Sequence, residues 1–510
     1  MFAKDPSVRR LARWLAAALA AASAFVAAPS QGADAIPAAT FFSNAAIRDV
    51  RISPSGRHLA LTVPATNGRM VLAVVEVGSD KPPTVVAASS RFDIYSFQWV
   101  NDDRLVYEVA DLQVVGYDQK AGPGLFTVKS DGSDARALIR GRFIVEQSSK
   151  MLDLGPDHRL LTVLRDGSND VIVVQYQFNG IRDYVGEVPK RLDVTTGHWR
   201  SLAYGSPPNA MDWVFDPKGE PRAVRTTNKG VGEVFWRDGG ETWRPILKAP
   251  SLSMPWEPEA VDGQGNFYGV VYSSDTTASL ARVDKATGKP DKDPIVSTPG
   301  FDGFSQLVFD SERGERVLGV RVETDAATTV WFDPEVKKLQ EVADARFPNT
   351  INAMSCARCW AADGAILVRS YSDRDPGTFS VYRPSTREWT TIGSARPAVD
   401  PKAMATLDLH RIKARDGLDL PVWVTTPRGA ASGPRPAVVL VHGGPGSAAA
   451  TGAGARTRSF SHPGAMSSSS PSIAAAPATA GRTWRPGFAN GERRCRTTSA
   501  MPCAGRPRKD

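Results

Sequence analysis

One hairpin is spelled out seven times in this chain, and it constrains the fold more than any other feature. Each copy is an apolar strand, a turn of Asp, Asn, Ser, Pro or Gly, and a second apolar strand, as in Val50-Arg-Ile-Ser-Pro-Ser-Gly-Arg-His-Leu-Ala-Leu61. The other copies begin at Trp99, Leu154, Val214, Val261, Val308 and Trp360. With Ser53, Asn101, Gly155, Asp216, Asp262, Asp310 and Ala362 as markers, the intervals are 48, 54, 61, 46, 48 and 52 residues. That is the length of a four-stranded propeller blade, so the markers predict an all-β seven-bladed propeller over residues 43–395. Turns at Val194-Thr-Thr-Gly197 and Asp284-Lys-Ala-Thr-Gly288 fit as second hairpins of their blades. A tandem of β-sandwiches is the alternative, but it would not repeat a single hairpin at this interval. The last blade must close near Phe379 to Thr391, where no terminal clasp is evident.

Between residues 43 and 395 hardly a convincing amphipathic helix is found, in keeping with an all-β span. The net charge of +8 suggests nucleic-acid binding only until it is located. Residues 446–510 hold ten Lys and Arg against Glu492 and Asp510, and residues 1–33 hold four against Asp5. The body from 34 to 445 is therefore mildly acidic, and a nucleic-acid role loses its support. The N-terminal basic residues precede an apolar run from Trp14 to Ala28, with small residues to Ala33. This reads as a signal peptide over 1–33, too short for a comfortable membrane span, with an uncleaved amphipathic anchor as the alternative. Export to a bacterial periplasm is the expectation, with no membrane attachment beyond the export signal.

Cys356 and Cys359 form a C-x-x-C whose flanks look like strand and turn. A redox site would need a helix N-terminus after a strand, and zinc would need further ligands nearby. A structural disulfide or two idle thiols is the favoured reading; no cofactor or metal is expected.

Near Ala395 the pattern changes. Leu407 to Lys413 and Leu418 to Thr425 alternate around Ala414-Arg-Asp-Gly417, a hairpin signal. A Pro- and Gly-rich loop from Pro427 to Pro436 leads into Ala437-Val-Val-Leu-Val-His-Gly-Gly-Pro445. An apolar run ending in glycines reads as a buried parallel strand that delivers a loop at its C-terminal edge, where α/β sheets build sites.

These segments, Arg415-Asp-Gly417, the strand Pro421 to Pro427 and Val438 to Pro445, resemble the opening of the α/β-hydrolase domain of the prolyl oligopeptidase family of serine peptidases. That family also carries an N-terminal seven-bladed propeller, so the resemblance covers roughly residues 43–445. It implies a serine-type peptidase acting on short peptides that enter through or beside the propeller. His442, Gly443 and Gly444 would then lie in the oxyanion-hole region, where backbone N–H groups stabilise a tetrahedral intermediate; the bland reading of the glycines is a tight turn.

The chemistry of that family needs a serine in G-x-S-x-G, then an Asp and a His. No serine here has glycine two residues before and after it, and beyond His442 only His462 and Asp510 remain as candidate partners. The reading is thus an all-β seven-bladed propeller followed by an incomplete α/β-hydrolase domain over 396–445, with the catalytic triad missing and the chain inactive. Residues 446–510 contain no Leu, Val or Tyr and one Ile, a composition that cannot bury a core. A shifted reading frame beginning near Pro445-Gly446 explains it. Taking the third base of each codon with the first two of the next, Arg494 to Gly505 permits Met-Gln-Asp-Asp-Ile-Ser-Asp-Ala-Val-Arg-Trp, Ile473 to Gly481 permits Arg-Gly-Ser-Thr-Gly-Tyr-Gly, and Ser461 to Ser468 permits Ala-Ser-Arg-Gly-Tyr-Val-Val. All three are family-like and in family order. The alternative is a non-catalytic propeller that binds peptides or proteins, the tail being its disordered linker. A tail of this kind is expected to leave the strand Val438 to Val441 without neighbours.

Overall fold

A computed structural model describes residues 36–114, 124–141, 153–181, 183–272, 278–301, 304–310, 315–415, 417, 419–428, 436–440 and 467–471; the segment read as a signal peptide lies outside them. Seven antiparallel sheets follow one another along the chain, spanning residues 49–87, 93–140, 158–201, 210–250, 256–297, 304–331 and 351–394. Six have four strands and one has three. In each, consecutive strands pair as hairpins, so the blades are built from local contacts.

Middle strands are buried on both faces because each blade is sandwiched between two others. Leu59, Ala60, Leu61 and Thr62 in blade 1, and Val171, Ile172, Val173 and Val174 in blade 3, are all buried. Both runs read as continuously apolar or nearly so, where a sheet with one wet face would alternate. Adjacent blades share apolar clusters around the whole ring. Leu72 and Phe97 join blades 1 and 2, Val106 and Val171 join 2 and 3, and Ile172 and Phe215 join 3 and 4. Val234 and Trp256 join blades 4 and 5, Leu280 and Val320 join 5 and 6, and Leu318 and Val368 join 6 and 7.

Closure is by packing. Leu59 and Leu61 of blade 1 share a cluster with Leu367, Phe379 and Val381 of blade 7, and Ala46 N donates to the Ala395 carbonyl at 2.9 Å. Among the described residues no strand of blade 7 comes from the N-terminal side of the ring. At this seam Gly56 has φ +79°, and a Cβ there would sit 3.2 Å from the Ala365 Cβ. Blades 3 and 6 are not neighbours, so the hydrogen bond from Arg165 Nη1 to the Asp310 carbonyl, 3.3 Å, crosses the middle of the ring.

Three expectations are corrected. The third marker is misplaced: Gly155-Pro-Asp157 precedes the first strand of blade 3, His158–Val163, and the first hairpin turn is at Arg165 to Asn169. The extra length lies in the connection entering that blade. Among the described residues blade 6 has no fourth strand, and the helix Pro334–Arg346 follows its third strand instead. Asp333 caps the helix, its carboxylate accepting from Glu335 N and Val336 N, and Pro334 sits in the first turn where its missing N–H costs nothing. Val336 and Ala343 fill the seam between blades 6 and 7. Finally, the strand after Pro436 is Ala437–Val439, and it has a neighbour: Ser467–Pro471 pairs parallel with it and antiparallel with Asp419–Thr426. The tail thus supplies one strand; its remaining residues lie outside the described ones.

Cys356 and Cys359 are joined as a disulfide in the first hairpin turn of blade 7, with Cα atoms 5.5 Å apart. Cys359 packs in the seam with blade 6, while Ala357 between them is fully buried and faces Gly56 of blade 1. Replacing both cysteines by serine is expected to lower unfolding stability by about 2 kcal/mol, the loop-entropy value for so short a ring. Urea titration with and without a dithiol reductant checks this, and a reductant effect that persists in the double variant would overturn it.

Candidate active site

The second sheet is seated on one end of the ring. Its order is Thr406–Lys413, Asp419–Thr426, Ser467–Pro471, Ala437–Val439, so the chain crosses over to place the last two strands parallel. A parallel pair requires a crossover of a dozen or more residues. Among the described residues, two hydrogen bonds that seat the sheet come from one side of the propeller. Leu407 N donates to Asp373 Oδ2 at 2.9 Å, in the turn between the second and third strands of blade 7. Arg411 Nη2 donates to the Gly300 carbonyl at 3.2 Å, in the connection from blade 5 to blade 6. The linker between propeller and sheet is itself covered by the N-terminal helix Ala38–Phe42, where Phe41 packs on Val399 and Met404. The described part of this region contains no helix, so it does not by itself make a layered α/β domain.

Because hairpins alternate ends, the turn between the second and third strands of blade 3 faces the same side. There Tyr176, Phe178 and Tyr184 form an aromatic cluster, with centroids 5.7–6.4 Å apart. Phe178 is 53% exposed and Ile181 at the tip is 79% exposed. Arg159 lies over the Tyr176 ring at 5.4 Å and pairs with the buried Glu187 at 2.9 Å. Burial, with Glu187 beside it, raises the Tyr184 hydroxyl above the ordinary phenol value.

Arg165 is reached by solvent yet walled in by the ring, and this enclosure lowers its pKa; the Asp310 charge opposes the effect and the Arg51 charge adds to it. In blade 5, burial pushes Glu259 up to about 7, and the charge of Glu257 reinforces the shift. The folded state therefore keeps a proton that the unfolded chain releases above its ordinary value near 4.5. Stability should fall by up to about 3 kcal/mol as pH rises from 4.5 to 7, then level off. Glu259→Gln should flatten this slope in denaturant titrations over that range; an unchanged slope would refute the assignment.

An Asp–His pair missed by the sequence reading lies in blade 3. His158 Nδ1 is 2.9 Å from Asp157 Oδ1, and Nε2 is 2.8 Å from Lys190 Nζ. An ammonium can only donate, so Nε2 accepts and the proton sits on Nδ1. Burial, then the Lys190 charge, lowers the His158 pKa. Gln175 Nε2 donates to Asp157 Oδ2 at 2.7 Å, and Lys190 lies over the Trp199 ring at 4.1 Å. A triad places a nucleophile at Nε2; here a lysine occupies that position, and the cluster ties the strands of blade 3 together.

The predicted oxyanion-hole residues His442, Gly443 and Gly444 lie outside the described residues, beyond the strand Ala437–Val439 that leads toward them. Among the described residues no group of three or more His, Cys, Asp or Glu could hold a metal, and no helix is long and apolar enough to cross a membrane.

No protein-family model matches the chain. Dipeptidyl aminopeptidase BIII of Pseudoxanthomonas mexicana is 24% identical over 461 residues, covering 84% of this chain and 61% of that protein. The crystal structure of puromycin hydrolase matches with a TM-score of 0.55 at 15% identity, covering 88% of this chain and 69% of that one. A puromycin-hydrolysing peptidase of Mycobacterium tuberculosis gives 0.56 at 13%, covering 88% and 70%. One of two prolyl endopeptidases studied together gives 0.55 at 11%, covering 95% and 69%. At such identities the structural likeness establishes the fold. The chain spans about three fifths of the length of its sequence relative.

Proposed function

We propose that this chain, a homologue of dipeptidyl aminopeptidase BIII with the seven-bladed propeller of the prolyl oligopeptidase family, derives from an exported serine-type peptidase of short peptides and is itself catalytically silent. The observation that carries the reading is the strand Ser467–Pro471, which lies between Asp419–Thr426 and Ala437–Val439. Serine runs are poor strand formers, since they lack the branched and aromatic side chains that pack on a pleated surface. Serine codons of the TCN type, read by the frame rule above, become NTC triplets for Val, Ile, Leu or Phe. The position thus suits the sequence that the shifted frame permits, since the Val-Val of Gly-Tyr-Val-Val falls at the start of this strand.

In such a peptidase the serine attacks the scissile carbonyl, a histidine takes its proton, and backbone N–H groups hold the oxyanion. In this polypeptide the loop His442-Gly443-Gly444 would supply donors, but no G-x-S-x-G supplies the attacking oxygen. A fluorophosphonate, which labels activated serines, is expected to leave the 510-residue protein unmodified; covalent labelling would overturn the silent reading. The non-catalytic binding module remains the second reading, and the exposed aromatic hairpin of blade 3 favours it as a contact surface.

Export to the periplasm is supported by the basic residues before the apolar run Trp14 to Ala28 and by the disulfide, which persists in oxidising compartments. Amino-terminal sequencing of the mature protein should begin near Ala33; an intact Met1 terminus in a cytosolic fraction would refute it.

A further inference from the structure

A cleft of about 500 Å³ opens where the second sheet meets blades 5 and 6. Its wall carries Phe301 and Leu409 as apolar surface, and Arg411 and Asp325 as opposite charges. The volume is in the range of small-ligand pockets. The two charges line one cleft without forming an ion pair: the contacts of Arg411 are the Gly300 carbonyl and the Phe301 ring, and the contact of Asp325 is the Thr324 hydroxyl. We propose that this cleft binds a short zwitterionic peptide, its carboxylate on Arg411, its ammonium on Asp325 and an apolar side chain against Phe301 and Leu409.

The site is built for the first of these contacts. The guanidinium lies 5.1 Å from the Phe301 centroid and is fixed by the Gly300 carbonyl, so one N–H is used and the others point away from that bond. Gly300 has φ +83°, a conformation that favours glycine, and the open space above its Cα is where Arg411 Nη2 lies, 2.8 Å from the position a Cβ would take. A planar fork held in this way is prepared for a carboxylate. Thr324 Oγ1 donates to Asp325 Oδ1 at 2.9 Å, which orients the carboxylate and leaves Oδ2 for an ammonium. A dipeptide with a C-terminal aromatic residue carries both charges and brings an apolar ring for Phe301 and Leu409.

The ligand class deepens the peptide reading above, yet binding here requires no hydrolysis, so the two fail separately. Calorimetric titration of the 510-residue protein with Ala-Phe, N-acetyl-Ala-Phe and Ala-Phe amide is the test. Each cap is expected to weaken binding about tenfold, the size of one lost charge-assisted contact. Asp325→Asn should abolish the penalty for acetylation and keep that for amidation, and Arg411→Gln should do the reverse. Asp325 is exposed and bonded only to its neighbour, so its variant decides the matter even where Arg411→Gln perturbs the seating of the sheet. Equal affinity for capped and free peptides, cap penalties unchanged in Asp325→Asn, or no binding of Ala-Phe would each overturn the proposal.

Discussion

Restoring the reading frame near codon 445 is expected to raise peptide and ester hydrolysis by roughly 10⁶-fold over the 510-residue chain, the scale lost when a catalytic serine or its histidine is removed. Oxyanion donors stabilise charge only after a nucleophile has attacked, and without a positioned serine and histidine that attack falls to water. Deleting one or two bases, whichever yields the predicted frame, should extend translation through Gly-Tyr-Val-Val and Arg-Gly-Ser-Thr-Gly-Tyr-Gly toward a G-x-S-x-G. Rates on a chromogenic dipeptide substrate, measured before and after the edit, provide the check. If neither deletion opens a frame containing that motif, the frame account fails and the tail belongs to a propeller-only binding protein.

The ring was legible in the sequence because its information is local. Six of the seven turns chosen as markers do connect the first two strands of a blade, each strand pair closing within a few residues. The miss at Gly155 has a physical cause: Gly-Pro-Asp favours a turn whether it joins two strands of one blade or leads into the next. The helix Pro334–Arg346 escaped notice because its apolar stripe is thin. Val336, Leu339 and Ala343 face the seam while charged residues fill most of the rest, although Asp333-Pro334 is a start signal. Ring closure was illegible for a different reason. It rests on shape, with Gly56 against Ala365, between residues some 300 positions apart. The same holds for Arg165 reaching Asp310, and for the cleft, whose walls come from two blades and the second sheet. Sequence patterning reports what a strand does with its next neighbour and says little about contacts across a closed ring.

A second large effect is expected at Trp256, the largest fully buried side chain in the seam between blades 4 and 5. It is 1% exposed and meets Phe267 edge-on at 5.7 Å, in a cluster with Val214, Val234 and Trp236 of blade 4. Its Nε1 donates to the Gly288 carbonyl at 2.9 Å, which anchors the second hairpin turn of blade 5. Gly288 has φ +68°, and a Cβ there would lie 1.9 Å from the Ile246 carbonyl oxygen, so the turn is pressed against blade 4. Trp256→Ala would leave a cavity in the seam and that carbonyl without its donor. The cost should be about 3–5 kcal/mol for the lost volume, with a further 1–3 kcal/mol, roughly, if no water replaces the indole. Leu252→Ala, at a position 61% exposed on the nearby connection, should cost no more than about 0.5 kcal/mol. Because a chain of this size need not unfold in one step, urea titration should be paired with amide-exchange protection across residues 210–297. Loss of protection in both blades together would mark the seam as a cooperative unit, whereas a Trp256→Ala penalty below about 1 kcal/mol would show that the blades stand without it.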